Sequence, residues 1–214
     1  MESFFASTVE ALELLTRTLC DTEPKVKTVD AVYIFGQTPD NEKSSLEMGA
    51  KLMTMGKAKR LVFLKTGTLV TGETFSANTD AKLIKLGVKE ETIIFTNLPT
   101  GIAHTQTEAI AFVELAKKMD WQTVYITSPP FHQLRACAET VTAILKFYPE
   151  LKVFNKTGKA LPWTTQVVHS QNILIDLRCN LIKSEKERLD KYYRQGDLAT
   201  AGQILDYLNN RDKE

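Results

Sequence analysis

The chain has 214 residues, 43% hydrophobic and 25% charged, a mixture that supports the packed core of one large domain or a domain with an appendage, and excludes a disordered polymer. Its 27 Lys and Arg against 26 Asp and Glu give a net charge of +1, which offers no basic field to a phosphate backbone and argues against nucleic acid as a partner. Cys20, Cys137 and Cys179 form neither a disulfide framework nor a zinc spacing, which fits a reducing compartment.

In chain order, residues 7–20 set Val9, Leu12, Leu15 and Leu19 at helical spacing and predict an amphipathic helix, ended by Pro24. This start has no basic leader, and no apolar run approaches the roughly 18 residues that cross a bilayer, so the expectation is a cytosolic protein without membrane contact. Residues 31–35 are a continuous apolar run closed by Gly36, the pattern of a strand buried on both faces. Residues 61–64, 92–95 and 124–127 repeat it, with helix-period segments at 43–56, 74–86 and 105–119 between them. Such alternation predicts an α/β protein with a parallel sheet covered by helices on both faces. A helix over 131–147, closed by Pro149, and a fifth strand over 151–154 follow.

Residues 158–163 are a turn-rich connector, after which Ile173, Leu174, Leu177, Leu181 and Leu189 predict a helix over 170–194. The alternating charges from Lys183 to Lys191 read as a solvated face. Gly196-Asp197 breaks that helix, and Asp197 is the predicted N-cap of a last helix through Leu205, Tyr207 and Leu208. The expected organisation is an α/β domain over 1–157 and a helical extension over 158–214 that packs on it or pairs with a second copy.

Open parallel sheets bind ligands beyond the carboxyl ends of their strands. Here the first strand leads into Gly36-Gln37-Thr38-Pro39-Asp40-Asn41, and the second into Lys65-Thr66-Gly67-Thr68 and then Gly72. The third leads to Gly101, His104, Thr105, Thr107 and Glu108. The fourth leads into Thr127-Ser128-Pro129-Pro130-Phe131-His132, with Arg135 one turn on. Every junction is small, polar or titratable. Gly36 and Gly67 let backbone approach a ligand, and glycine turns entering helices present free N–H groups to anions. His132 and Arg135, three apart on a helix's first turn, suit holding a phosphate or carboxylate. Thr105 and Glu108 have capping-box spacing and also border the pocket. Asp40 either caps the second helix or accepts from a ribose or amine. His132, Arg135 and Glu108 are thus candidate catalytic groups. Gly36, Gln37, Asp40, Thr66, Gly67, Thr105 and Ser128 are candidate ligand contacts, and His104 and His169 stand behind them. There is no GxGxxG, P-loop, GxSxG, HExxH or CxxC pattern. Ser128 follows a strand as a hydrolase serine would, but Pro129 removes the N–H that an oxyanion hole would use. No metal is expected, since histidines are few and carboxylates unclustered.

The set Asp30-Ala31-Val32-Tyr33-Ile34-Phe35-Gly36, Thr66-Gly67, Gly87-Val88, Thr105-Gln106-Thr107-Glu108-Ala109 and Thr127-Ser128-Pro129-Pro130-Phe131-His132-Gln133-Leu134-Arg135-Ala136 resembles the YdcF-like domain family, over about residues 28–155. The resemblance implies a Rossmann-like three-layer fold with its site at the same sheet edge. One cytosolic branch of that family is associated with S-adenosylmethionine, which makes this the candidate ligand; membrane-tethered branches serve envelope polysaccharides. The chain departs from the family by Gly36-Gln37 in place of Gly-Gly and Thr66-Gly67-Thr68 in place of Ser-Gly-Gly, changes that bear on the ligand's identity. Three functions are weighed: a protein binding a nucleotide-like or anionic small molecule, an enzyme on a phosphorylated or nucleotide-bearing substrate, and an interaction module using the C-terminal helices.

Overall fold

The strand Val29–Ile34 (β1) lies at the centre of the molecule, with every residue except Asp30 buried. The computed structural model describes residues 3–65, 78–98, 103–169 and 173–213. Four further strands, Ala58–Leu64 (β2), Ile93–Thr96 (β3), Thr123–Thr127 (β4) and Lys152–Asn155 (β5), join β1 in a parallel sheet of order β3-β2-β1-β4-β5. The helices Pro39–Thr54 (α2), Thr79–Lys85 (α3), Thr105–Lys118 (α4) and Pro130–Phe147 (α5) make the crossovers. Alternate strand residues point to opposite faces, and the core divides accordingly. Ala31, Tyr33, Val62, Val124 and Ile126 pack under α4 and α5, while Val32, Ile34, Leu61, Phe63 and Tyr125 pack under α2 and α3. The result is the predicted three-layer, Rossmann-like α/β architecture. Of the predicted helix over 74–86, residues 74–77 lie outside the described residues.

Close approach fixes two glycines. A Cβ on Gly49 would lie 2.5 Å from Ile34 Cδ1, where α2 crosses β1. A Cβ on Gly158 would lie 2.8 Å from the Ser44 carbonyl oxygen, where the chain leaves β5 between α2 and the β4–α5 turn.

The opening helix, Thr8–Leu19 (α1), is present, but its apolar stripe faces outward: Val9 is 73% and Leu12 59% exposed, while Leu14 and Thr18 are the buried positions. The C-terminal segment departs further from expectation. Gln166–His169 (β6) and Leu174–Leu177 (β7) form an antiparallel hairpin, so the predicted helix over 170–194 starts only at Leu181, as Leu181–Arg194 (α6). Ile173, Leu174 and Leu177 satisfy helical spacing but also sit in an aliphatic, β-favouring run, and pairing with Val167-Val168 decides for the strand. The last helix, Ala201–Lys213 (α7), is capped by Thr200 and not Asp197: Gln203 N donates to Thr200 Oγ1 at 3.0 Å and Thr200 N to Gln203 Oε1 at 2.9 Å. Asp197 instead closes α6, its N–H bonded to the Tyr192 carbonyl beyond Gly196, whose φ of 76° needs glycine. Arg211 of α7 reaches Asp21 at 2.6 Å and the Val153 carbonyl at 2.6 Å, pinning α7 to β5 and to the end of α1. Among the described residues no helix is long and apolar enough to cross a membrane.

Candidate functional site

Chain order reverses between β1 and β4, because the path runs outward through β2 and β3 and then returns to the other side of β1. The crevice at that reversal is where a ligand meets two diverging junctions. Ile34 pairs with Thr127 there, and Phe35 N donates to the Thr127 carbonyl at 3.1 Å. Gly36 and Gln37 leave β1 while Ser128 leaves β4, so both junctions open on one spot.

His132 occupies it. Pro130 begins α5 and places His132 in its first turn, four residues from Ser128. Nδ1 of His132 lies 2.6 Å from Gln37 Nε2 and 2.8 Å from Ser128 Oγ, and Nε2 lies 3.1 Å from Thr105 Oγ1. Both ring nitrogens are therefore engaged, Nδ1 by Gln37 and Ser128 and Nε2 by Thr105, which fixes the plane of the imidazole. Burial, reinforced by the Arg135 charge, holds the His132 pKa well below its ordinary value, so the ring is neutral.

Arg135 donates to the same Thr105 Oγ1 at 2.6 Å through Nη1. Its Nε and Nη2 grip Glu185 of α6 at 2.6 and 3.2 Å, and His169 Nε2 of β6 donates to Glu185 Oε1 at 2.9 Å. Burial opposes the charge on Glu185, but Arg135 and the His169 hydrogen bond outweigh it and keep the carboxyl ionised well below the usual range. A chain of contacts therefore runs from Glu185 through Arg135, Thr105 and His132 to Ser128 and Gln37.

Glu108 stands on the other side of the β1 terminus. Its Oε2 accepts from Gly36 N at 3.0 Å and from the Tyr33 hydroxyl at 3.1 Å. Burial outweighs both bonds and raises its pKa to about 7. Thr105 and Glu108 do not form the expected capping box. The box lies one residue earlier: His104 is the N-cap of α4 and pairs with Thr107 at N3, which frees Glu108 to turn toward the sheet. Asp40 neither caps α2 nor lines the crevice; Thr38 is the N-cap position, and exposed Asp40 accepts from Val168 N at 2.8 Å.

Of the expected site residues, Gln37, Thr105, Ser128, His132 and Arg135 thus form one connected group, with Gly36 and Glu108 beside it. Thr66 and Gly67 lie outside the described residues, as do Thr68, Gly72 and Gly101. Glu185 and Tyr33 were not singled out from the sequence, and His169 was set last. One signal pointed to the burial of Glu185, though not to its partner: it falls between Leu181 and Leu189 at four-residue steps, so an acid sits on the apolar stripe of α6.

A small, partly open cleft of about 20 Å³ adjoins the group, lined by Gly36, Gln37, Glu42, Ser45, Phe63 and Thr79. Gln37 belongs to both cleft and group. A larger groove of about 400 Å³ between α7 and the amino end of β5, near Lys152 and Asn210, contains none of these residues. Among the described residues no three His, Cys, Asp or Glu side chains are placed to hold a metal ion together.

Fold and crevice define the class, a Rossmann-like α/β protein with a polar group at its strand-order reversal. Comparison with protein-family models, curated proteins and solved structures found no match.

Proposed function

We propose that the protein binds a small nucleotide-like or anionic ligand at the carboxyl ends of its parallel strands, and that it is a cytosolic protein akin to the YdcF-like domains, with S-adenosylmethionine as candidate ligand. One observation carries this reading: Gln37 lines the cleft and touches His132 Nδ1 at 2.6 Å, so a ligand in the cleft adjoins a buried imidazole coupled to a guanidinium. Gly36 contributes close backbone approach, and Arg135 a fixed positive charge for an anionic moiety.

A thermal-shift screen with S-adenosylmethionine, nucleotides, nucleotide sugars and sugar phosphates tests it, beside native mass spectrometry of the purified protein. The expected result is a melting shift with one of these classes that disappears in His132→Ala. No shift with any of them and no co-purified mass would end the proposal.

A second reading, an enzyme acting on a phosphorylated or nucleotide-bearing substrate, is favoured by opposite shifts at one crevice. The His132 pKa is driven down, while that of Glu108 rises to about 7. Environments that push neighbouring groups in opposite directions mark acid and base roles. In this reading His132 is the acid/base, Glu108 a second proton carrier and Arg135 the anion clamp. Turnover that survives intact in His132→Ala would refute that assignment.

A further inference from the structure

Arg135, the group that would hold an anion, is already engaged by a carboxylate of its own chain. Nε and Nη2 meet the two oxygens of Glu185 at 2.6 and 3.2 Å, the two-pronged geometry a guanidinium also offers to a carboxylate or phosphate ligand. Only three of its five N–H donors are used, the third on Thr105, and the other two have no acceptor among the described residues. The guanidinium is occupied without being saturated.

The C-terminal segment brings Glu185 there; beside the crevice its apolar anchorage is small, while Leu189, four residues further along α6, is buried in the main core. The local apolar contact is a small cluster of Phe131, Val167 and Leu181, joined by Leu174 and separate from both faces of the main core. The other ties are polar. Thr38 Oγ1 and Asn41 Nδ2 donate to the Val168 carbonyl at 2.6 and 3.2 Å, and Arg178 Nε donates to Asn41 Oδ1 at 3.0 Å. Ser184 Oγ beside Glu185, and both oxygens of Glu139 one turn beyond Arg135 on α5, are buried with no hydrogen-bond partner among the described residues. Unpaired burial opposes the docked state. His169, which bonds Glu185 at 2.9 Å, belongs to the same segment, so a displaced Glu185 takes a partner with it.

We propose that the first half of α6, with the strands β6 and β7 beside it, is a cis-acting plug, in which the Glu185 carboxylate fills the Arg135 fork that the carboxylate or phosphate of a ligand takes on binding. This rests on the reading of Arg135 as the anion-holding group. Ligand and plug then compete for one guanidinium, and each excludes the other.

Inorganic pyrophosphate titrated calorimetrically into the full chain tests this. Glu185→Gln binds it about tenfold more tightly than the unaltered protein, within the usual range of coupling between mutually exclusive states, and adding Arg135→Met abolishes the gain. Leu181→Ala, which loosens the segment and keeps the ion pair, shifts affinity in the same direction and serves if Glu185→Gln does not fold. Pyrophosphate also speeds amide hydrogen exchange across residues 181–190. Equal affinity in the unaltered protein and the variants, with exchange unchanged or slowed, overturns the plug and leaves the anion site standing. Absence of pyrophosphate binding in folded Glu185→Gln and Leu181→Ala overturns the anion reading itself.

Discussion

Among the described residues Arg135 and Arg211 are both buried, Arg135 joining α5 to α6 and Arg211 joining α7 to β5 and the end of α1, and their surroundings differ. Arg211 is saturated: Nη1 serves Asp21 and the Val153 carbonyl, Nη2 serves Asp21, Thr22 and Asp212, and Nε serves Asp212. It also lies 4.1 Å from the Phe154 ring centroid. Arg135 is as deeply buried, yet it makes one hydrogen bond per nitrogen and keeps company with two histidines and an unpaired carboxyl. Burial alone therefore does not tell a structural ion pair from a candidate site. Donor saturation and the neighbours' titration do. An arginine whose every N–H is matched by its own chain has nothing left for a ligand.

The comparison breaks most sharply at Asp21. Asp21→Ala takes one of two carboxylate partners from Arg211 and is expected to cost about 3 kcal/mol, seen as a lowered urea midpoint, while ligand-induced stabilisation persists. Loss of that stabilisation would mean that the two centres are coupled. His132→Ala, which empties a buried and hydrogen-bonded position, is expected to lower the melt of the free protein as well, and with it the roughly 2.7 kcal/mol gained at a hundredfold excess of ligand over Kd disappears.

Glu139→Gln probes the unpaired carboxyl through pH. Burial raises the Glu139 pKa from 4.5 to about 7, so the folded state holds a proton that the unfolded chain has released between those values. Its contribution is fully present below pH 4.5 and is lost as pH rises to about 7. The variant should gain on the order of 2 kcal/mol at pH 8 and lose part of the decline between acid and neutral pH, read from urea melts across that range. A second part remains, because Glu108 carries the same shift. A variant no more stable than the parent at pH 8 would show that Glu139 has a partner. Smallest is Thr200→Ala, which removes the α7 cap and should cost about 1 kcal/mol without touching either centre.

The sheet was legible because its strands are continuous apolar runs, and buried parallel strands cannot be anything else at that length. The β6–β7 hairpin was not. Four-residue strands give little period, and Ile173, Leu174 and Leu177 align with the apolar positions of a helix that continues to Leu181. The crevice residues were legible through topology: a polar residue just past a parallel strand must lie at one sheet edge, whichever helix follows. Glu185 was hidden within a run of alternating charge, and its partner Arg135 lies 50 residues away. Pairings of that range leave no local signature, although the Leu181, Glu185, Leu189 stripe marks the acid as buried. The cap at His104 in place of Thr105 turned on a histidine acting as acceptor, which the usual N-cap preferences do not anticipate.

The tie between Asp21 and Arg211 spans 190 residues, and it sets a schedule for the nascent chain. At 5–20 residues per second a ribosome needs roughly 10–40 s to make the second partner after the first. Through that interval Asp21 keeps its water, and once α5 has been made the surface that α7 will cover is available to chaperones until α7 follows. The central strands have all emerged by then, so the sheet can assemble first and the last helix seal it.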